Sequence, residues 1–301
     1  MTDIKLFKIQ DNKATELKAE SLALEKNLQD LIEKNLETLF AVRLLASEYD
    51  TGPRHRGRID TLGIDENGCP VVIEYKRRVN ENVINQGLFY LDWLLDHQGE
   101  FELLVSKLVD DQAATEINWT STRLLCIAAD FARYDEHAVQ QIDRNIELIR
   151  FRYFPEGFLL FELVNAVSEA TSRGGTKAGT SARYKTILET IEGLDGDLAS
   201  LYSQLRENLL TLGDDVQERA LKYYIAFKRL RNFACVEVHP NKAVITLYLK
   251  VNPDTVDLQE GFTRDVRKIG HFGTGDLEVV LRNQEDLEKA MPLVRRSYEE
   301  S

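Results

Sequence analysis

An aspartate, a glutamate and a lysine interrupt two apolar segments that a short turn should bring side by side. Asp60 lies in RGRIDTLGID, Glu74 and Lys76 lie in VVIEYK, and the turn signal DENG separates the two segments. Alternate residues of a strand share a face, so Glu74 and Lys76 point the same way, and a hairpin can place Asp60 beside them. Two carboxylates can hold a divalent cation beside a phosphate, and a lysine can orient or activate the attacking water. The spacing therefore suits metal-dependent hydrolysis of a phosphodiester bond.

The same residues allow a simpler interpretation, in which Lys76 forms an ion pair with Glu74 or Asp60 on an exposed sheet face. The tripeptide pattern Glu-x-Lys is frequent, so the triplet alone does not separate the two interpretations. Charged residues inside a buried strand are unfavourable unless they are paired or bound to a metal. The secondary-structure elements around the triplet are therefore needed to distinguish the two interpretations.

Hydrophobic periodicity predicts a sheet with helices around the triplet. Residues 1–19 suggest a small hairpin or extended arm, and leucines at spacings of three and four predict a helix that begins near the N-cap Ser21. A second helix is predicted at 81–97 and a polar helix at 135–144. Strand-like segments rich in valine, isoleucine and leucine lie at 40–47, 58–64, 71–76, 123–129, 146–153 and 158–164. This order predicts an α/β (α+β) domain with a mixed central sheet and flanking helices.

A glycine-rich, polar segment divides the chain into two predicted domains. The segment at 167–183 is expected to be a flexible linker between a domain at 1–166 and a second, small α+β domain at 184–301. The second domain should contain helices across 184–212 and at 284–299. Its predicted strands lie at 223–227, 233–238, 243–251 and 277–281.

Composition and charge limit the classes of protein to consider. The chain has 301 residues, 43% hydrophobic and 29% charged, which is the balance of an ordinary globular protein. It has no apolar run of membrane-spanning length and no signal-peptide pattern, so we expect a soluble, cytoplasmic protein without membrane contact. Cys69, Cys126 and Cys235 form no disulfide or zinc pattern. The net charge of -12 is concentrated in the N-terminal half and opposes general affinity for nucleic acid, although local basic clusters can still bind phosphate.

The string GRIDTLGIDENG, followed by PVVIEYKRR and VINQGLFYLDWL, resembles the PD-(D/E)XK nuclease superfamily, and NucS-type DNA endonucleases in particular. Their signature is Gly-x-x-Asp, a hairpin, Glu-x-Lys, and then a helix with Gln-x-x-x-Tyr. The likeness covers residues 20 to 165 in outline and 20 to 100 in motif detail. One departure is Ile59 at the proline position of the signature. The matching residues are Gly57 with Asp60, Glu74 with Lys76, and Gln86 with Tyr90.

The resemblance implies a sheet of the restriction-endonuclease-like type and assigns roles to individual residues. Asp60 and Glu74 would bind Mg²⁺ or Mn²⁺, since hard oxygen ligands favour these ions, and the Tyr75 carbonyl would be a further ligand. Gln86 and Tyr90 would line the site and position phosphate or the lysine. Taken alone, Gln86 and Tyr90 are more simply explained as a surface glutamine and a half-buried tyrosine.

The first helix should supply one further carboxylate by the same resemblance. Glu25 matches best, Glu33 and Glu37 compete for the role, and any of the three can instead belong to a solvated face. On the second helix, Phe89 and Trp93 occupy positions where helical core is expected.

Basic residues next to the two strands are candidates for phosphate contacts. They can equally form a solvated rim. These residues are Arg54, Arg56, Arg58, Arg77 and Arg78.

The C-terminal part contains YYIAFKR, NFACVEV and GHFGTGDLEV, and in these strings it resembles an uncharacterised domain that is often attached to nuclease-like modules. The glycine-rich string lacks P-loop and dinucleotide-fold spacing and predicts a loop that enters a strand. A surface for nucleic acid, for a protein partner or for a second copy of the chain is possible here. Its basic residues are Lys228, Arg229, Arg231, Arg264, Arg267 and Lys268.

Two functions follow from these observations. The first is a Mg²⁺- or Mn²⁺-dependent nuclease acting on nucleic acid, with DNA favoured over RNA and endonuclease over exonuclease. The second is a catalytically silent nuclease fold that binds or regulates within a protein assembly, and the acidic net charge motivates it. The Asp60, Glu74 and Lys76 set favours the enzyme, because a binding module has no evident need for that spacing.

Overall fold

The structure is a computed structural model that describes residues 4–20, 25–76, 83–167 and 186–301. Ser21, Arg77, Arg78 and all of the predicted linker except Val167 lie outside the described residues. Contacts divide the chain into two compact units, the first with the described residues up to 167 and the second with those from 186, except that residues 39–41 group with the second. Within the described ranges, no helix is both long enough and apolar enough to cross a membrane.

The N-terminal unit begins with a two-stranded hairpin, as predicted. Its strands are β1 (Leu6–Gln10) and β2 (Lys13–Leu17), which pair antiparallel. Asp11 and Asn12 connect them with positive φ angles of 49° and 57°. Two left-handed residues in succession match the twist of a two-residue hairpin turn, and Asp and Asn tolerate that conformation well.

A six-stranded mixed sheet forms the body of this unit. The strands lie side by side in chain order. The β5–β6 and β6–β7 pairs are parallel and the other pairs are antiparallel, which confirms the predicted mixed sheet. The strands are β3 (Val42–Asp50), β4 (Arg58–Asp65), β5 (Pro70–Lys76), β6 (Arg123–Ala128), β7 (Asn145–Phe154) and β8 (Phe158–Val167).

Helices cover both faces of this sheet. They are α1 (Glu25–Lys34), α2 (Leu36–Phe40), α3 (Gly52–His55), α4 (Val83–Asp96), α5 (Gln98–Leu108), α6 (Asp111–Thr115) and α7 (Arg133–Gln140). Val72 shares a core with α4, whereas Thr61 bonds to α1, and alternation along the strands therefore puts α1 and α4 on opposite faces. Gly87 allows a close approach of α4 to β6, since a Cβ there would lie 2.5 Å from Leu124 Cδ1.

One predicted strand boundary in this unit is corrected, and one longer helix was missed. Strand β3 begins at Val42 and not at residue 40, because Phe40 ends the short helix α2, where it is buried. Helix α5 was not predicted, and its sequence explains why. Leu103 and Leu108 are each 53% exposed on it, so its apolar residues do not form a single buried stripe.

The C-terminal unit is an antiparallel sheet with helices packed on one face. Its helices are α8 (Ile187–Glu192), α9 (Gly196–Leu210) and α10 (Gln284–Glu299). Its strands are β9 (Gln217–Ala220), β10 (Ile225–Lys228), β11 (Asn232–His239), β12 (Val244–Leu249), β13 (Thr263–Asp265) and β14 (Leu277–Leu281), in the spatial order β13-β14-β12-β11-β10-β9. A second α+β unit is thus confirmed. The sequence missed β9 and β13, which have only four and three residues.

Candidate active site

Asp60 and Glu74 lie next to each other on the neighbouring antiparallel strands β4 and β5. Thr61 pairs with Ile73 in the register, which sets Asp60 opposite Glu74. The main-chain N–H of Asp60 donates to Glu74 Oε1 at 3.2 Å, and the N–H of Tyr75 donates to Asp60 Oδ2 at 3.1 Å. Each carboxyl group is therefore held by the backbone of the other strand.

The carboxyl group of Glu74 is buried, and only one of its two oxygens accepts a hydrogen bond among the described residues. The residue is 0% exposed, and its Oε2 atom has no hydrogen-bond partner among the described residues. Burial, and after it the negative charge of Asp60, raises the pKa of the Glu74 carboxyl to about 9, against the opposing effects of the Asp60 N–H and the Lys76 charge. At neutral pH Glu74 therefore keeps its proton. An ion pair on an exposed sheet face is the wrong interpretation for this residue.

An open cleft of about 1040 Å³ reaches Asp60 from solvent. Gln86 and Tyr90 project into the cleft from α4, and Gln29 lines it from α1. The structure thus brings Asp60 together with Gln86 and Tyr90, whereas Glu74 is not part of the cleft wall and is fully buried. A ligand that contacts both carboxylates has to enter past Asp60.

Tyr90 supports the strand that carries Asp60. Its hydroxyl accepts a hydrogen bond from the main-chain N–H of Arg58 at 3.1 Å. Its ring lies against Gly57, where an added Cβ would come within 2.6 Å of Tyr90 Cε1. The glycine and the tyrosine together fix the start of β4, close to Asp60.

Two of the basic residues that line the cleft lie beside the same acidic residue, Glu48. Arg56 and Arg58 line it, and Arg58 Nε lies 2.7 Å from Glu48 Oε2 with its side chain 66% exposed. Lys26, which the sequence did not single out, lies in the same cleft and 3.4 Å from Glu48. The Arg54 side chain, like Arg77 and Arg78, lies outside what the structure describes.

The three glutamates proposed for the first helix have different surroundings. Glu33 accepts hydrogen bonds from Gln29 and Thr61. Glu37 forms an exposed ion pair with Arg43 at 3.3 Å, towards the far end of β4 from Asp60. Glu25 begins α1, and its side chain is not among those described. Glu37 is therefore not at the site.

Sequence reasoning missed a buried charge cluster in this sheet and misplaced one aromatic residue. Arg123 bonds to Asp65 at 2.8 Å and to both carboxylate oxygens of Glu147 at 2.8 and 3.0 Å, and all three are buried. Trp93 is buried as expected, but Phe89 is 45% exposed, because its side of α4 faces solvent. No local signal in the sequence marks the charge cluster, since its members are far apart along the chain.

The glycine-rich loop of the C-terminal unit covers part of its sheet and leads into β14, as predicted. Gly273 has a φ of 80°, and a Cβ there would lie 2.6 Å from Cys235 Cβ. The His271 ring stacks on Tyr248 with centroids 4.1 Å apart. A residue without a side chain is needed at 273 for the loop to lie this close to the strand.

Four of the six basic residues considered for a surface of the C-terminal unit are buried or paired with acidic residues. Lys228 is 2% exposed, and three arginines pair with acidic neighbours. The ion pairs are Arg229 with Asp215 at 2.6 Å, Arg264 with Glu278 at 2.6 Å, and Arg267 with Asp254 at 2.8 Å. These ion pairs reduce the positive charge that the three arginines can offer to phosphates.

Known proteins are similar to both parts of the chain. Residues 187–301 match the family model described as "Domain of unknown function (DUF5655)", which confirms the predicted uncharacterised C-terminal domain. An uncharacterised protein of Haemophilus influenzae is 24% identical over 307 residues, covering 99% of this chain and 100% of that protein.

Two solved structures show partial similarity. The structure of an EndoMS–dsDNA2 complex is 20% identical, with a TM-score of 0.25 over 44% of this chain and 48% of that one. A repair endonuclease from Pyrococcus abyssi is 14% identical, with a TM-score of 0.25 over 44% of this chain and 50% of that one. The chain thus spans about half the length of these solved structures. Similarity at this level does not define a common fold.

Proposed function

We propose that the N-terminal unit is a metal-dependent nuclease that hydrolyses phosphodiester bonds, with DNA as its substrate. The observation that supports this most strongly is the Oε2 atom of Glu74, buried without a hydrogen-bond partner beside the carboxylate of Asp60. A buried carboxyl group beside a second carboxylate destabilises a fold unless a proton or a cation neutralises the pair. A cleft lined by Arg56 and Arg58 gives a phosphate backbone access to Asp60.

The donor atoms fit a hard divalent cation. Asp60 and Glu74 would hold Mg²⁺ or Mn²⁺, with the main-chain oxygen of Tyr75 and the carboxylate of Glu25 as further oxygen ligands. The described residues contain no cluster of three or more acidic, histidine or cysteine side chains suited to a metal, so these two additional oxygens are part of the proposal. When bound, the cation would act as a Lewis acid on a phosphate oxygen. The Lys76 ammonium would stabilise the negative charge that develops on the phosphate.

A binding module without catalysis is the second candidate, and the charges of the cleft favour it. Glu48 lies beside both Arg58 and Lys26, so these cations are not fully available to phosphates. Calorimetry with Mn²⁺ separates the candidates, since a nuclease of this kind should bind the ion at millimolar concentration and a silent module should not. The partner of such a module would be another protein, or a second copy of the chain, bound through the C-terminal unit.

The test is cleavage of closed circular, linear, single-stranded, branched and mismatched DNA, and of RNA, with Mg²⁺ or Mn²⁺. We expect cutting of the closed circle, which requires an endonuclease. Replacing Glu74 or Lys76 by alanine should lower the rate on the order of 10²–10³-fold, as loss of a charge-stabilising group does. Glu102→Ala, at an exposed position of α5, is the matched control and should leave the rate unchanged. Activity that persists in both Glu74→Ala and Lys76→Ala contradicts the mechanism.

A further inference from the structure

Gln29 bonds directly to the backbone of the strand that carries Asp60. Only 4% of Gln29 is exposed, and its Nε2 atom donates to the main-chain oxygen of Asp60 at 2.8 Å. The same atom donates to Glu33 Oε1 at 2.9 Å and lies 3.3 Å from Ser47 Oγ. The N–H of Asp60 donates to Glu74 Oε1. Side chains therefore hold the main-chain oxygen and the main-chain N–H of Asp60 at once, which fixes its peptide groups on both sides.

Glu33 extends these bonds along the face of the sheet that α1 covers. Thr61 Oγ1 donates to Glu33 Oε1 at 2.5 Å and lies 3.1 Å from the Tyr75 hydroxyl. Thr61 follows Asp60 on β4, and Tyr75 follows Glu74 on β5. Since side chains alternate along a strand, the chain of bonds joins the two strands one residue beyond each carboxylate, on the opposite face.

We propose that four residues hold β4 and β5 in the register that keeps the Asp60 and Glu74 carboxylates together. We name them the positioning network, and they are Gln29, Glu33, Thr61 and Tyr75. The proposal rests on the proposed function, because it assigns positioning residues to that same site. It makes Glu33 a hydrogen-bond acceptor behind the sheet and not a metal ligand.

The chemistry of the network suits a site for a cation. An amide donates hydrogen bonds without adding a positive charge that would repel a metal ion. Partners that orient the ligands of a metal change its affinity by about 10–100-fold when they are removed. Gln29 acts on Asp60 through the peptide group, so its loss should weaken the metal site without removing a proposed ligand.

Two substitutions remove the bonds and nearly keep the side-chain volume, namely Gln29→Met and Thr61→Val. Thr61→Ser keeps the hydroxyl and should retain the behaviour of the natural protein. Asn145→Leu is the matched control, because Asn145 is also 4% exposed and donates through its amide to the main-chain oxygen of Thr122 at 3.1 Å. Asn145→Leu removes a comparable buried hydrogen bond at β7, a strand that carries neither Asp60 nor Glu74.

Amide hydrogen exchange of the full chain in EDTA, followed by NMR, reports the site without metal. The amides of Asp60 and Tyr75 donate to the two carboxylates, so their exchange should become about tenfold faster in Gln29→Met and in Thr61→Val. Thr61→Ser and Asn145→Leu should leave it unchanged. In a parallel Mn²⁺ titration, the dissociation constant should rise about 10–100-fold in the first two variants only.

Unchanged exchange of the Asp60 and Tyr75 amides in Gln29→Met and Thr61→Val overturns the proposal. An equal effect of Asn145→Leu also overturns it, because the bonds would then contribute only general stability. If Gln29→Met does not fold, Thr61→Val compared with Thr61→Ser gives the same test. If the natural protein fails to bind Mn²⁺, that result contradicts the proposed function. The hydrogen-exchange data would still test the positioning network, because they are measured without metal.

Discussion

The buried proton of Glu74 makes the stability of the metal-free protein depend on pH. Its carboxyl has a pKa of about 9 in the folded protein, against an ordinary value of 4.5. Between pH 4.5 and 9 the folded state holds a proton that the unfolded state has lost. Each rise of one pH unit within this window therefore lowers the free energy of unfolding by about 1.4 kcal/mol. Below pH 4.5 both states are protonated and above pH 9 both are ionised, so the effect is confined to the window.

The substitution Glu74→Gln isolates this effect, because an uncharged amide resembles the protonated carboxyl at all pH values. Oε1 of the amide can still accept the Asp60 N–H, and Nε2 can donate to the Asp60 carboxylate. From about pH 6 to 8, the natural protein should lose about 2 to 3 kcal/mol of unfolding free energy relative to Glu74→Gln. Urea denaturation in EDTA at both pH values measures the difference. Glu102→Gln, at an exposed glutamate, should show no such change.

Parallel pH curves for the natural protein and Glu74→Gln would contradict a buried proton on Glu74, since they would mean that its carboxyl is already ionised in the folded state. Mn²⁺ supplies a second comparison. At a hundred times its dissociation constant, a ligand adds about 2.7 kcal/mol to the stability of the state that binds it. Mn²⁺ at pH 8 should therefore stabilise the natural protein and have a much smaller effect on Glu74→Gln.

Further predictions concern packing, charge and the division into units. Gly57→Ala inserts a Cβ 2.6 Å from the Tyr90 ring and should lower the free energy of unfolding by about 1–3 kcal/mol, as measured by thermal melting. Gly99→Ala is the control and should not lower it, because the space around Gly99 is open. Arg123→Met leaves two buried carboxylates uncompensated and should cost about 3–5 kcal/mol in urea denaturation. Arg58→Ala should weaken DNA binding and reduce the salt slope of log Kd by about one in gel shifts at several salt concentrations. A chain of residues 1–167 should fold, bind Mn²⁺ and cleave; an unfolded product would contradict the division into domains.

Local patterns were sufficient to predict the strands and helices around the carboxylates. Alternating or continuous apolar runs bounded by turn residues marked β4 and β5, and the four-residue turn between them fixed which strand pairs with which. The pairing then determines that Asp60 lies opposite Glu74. In the C-terminal unit, β14 and α10 have the bounds that were predicted, because a buried run and an amphipathic stripe define each of them clearly.

The parts that were missed depend on contacts between residues far apart along the chain. Helical periodicity shows that α1 has an apolar face, but not which strand lies under Gln29, so neither its bond to Asp60 nor the role of Glu33 could be predicted. Arg123 meets Glu147 only because β6 lies next to β7 in the sheet, which no short-range signal specifies.

A crystal of the full chain soaked with Mn²⁺ tests whether Asp60 and Glu74 bind a metal, since an anomalous difference map locates the ion without assumptions about activity. We expect a peak within bonding distance of carboxylate oxygens of Asp60 and Glu74, with the Glu33 carboxylate outside the coordination sphere. No peak at these carboxylates under saturating Mn²⁺, or a peak held by other residues, would contradict this expectation.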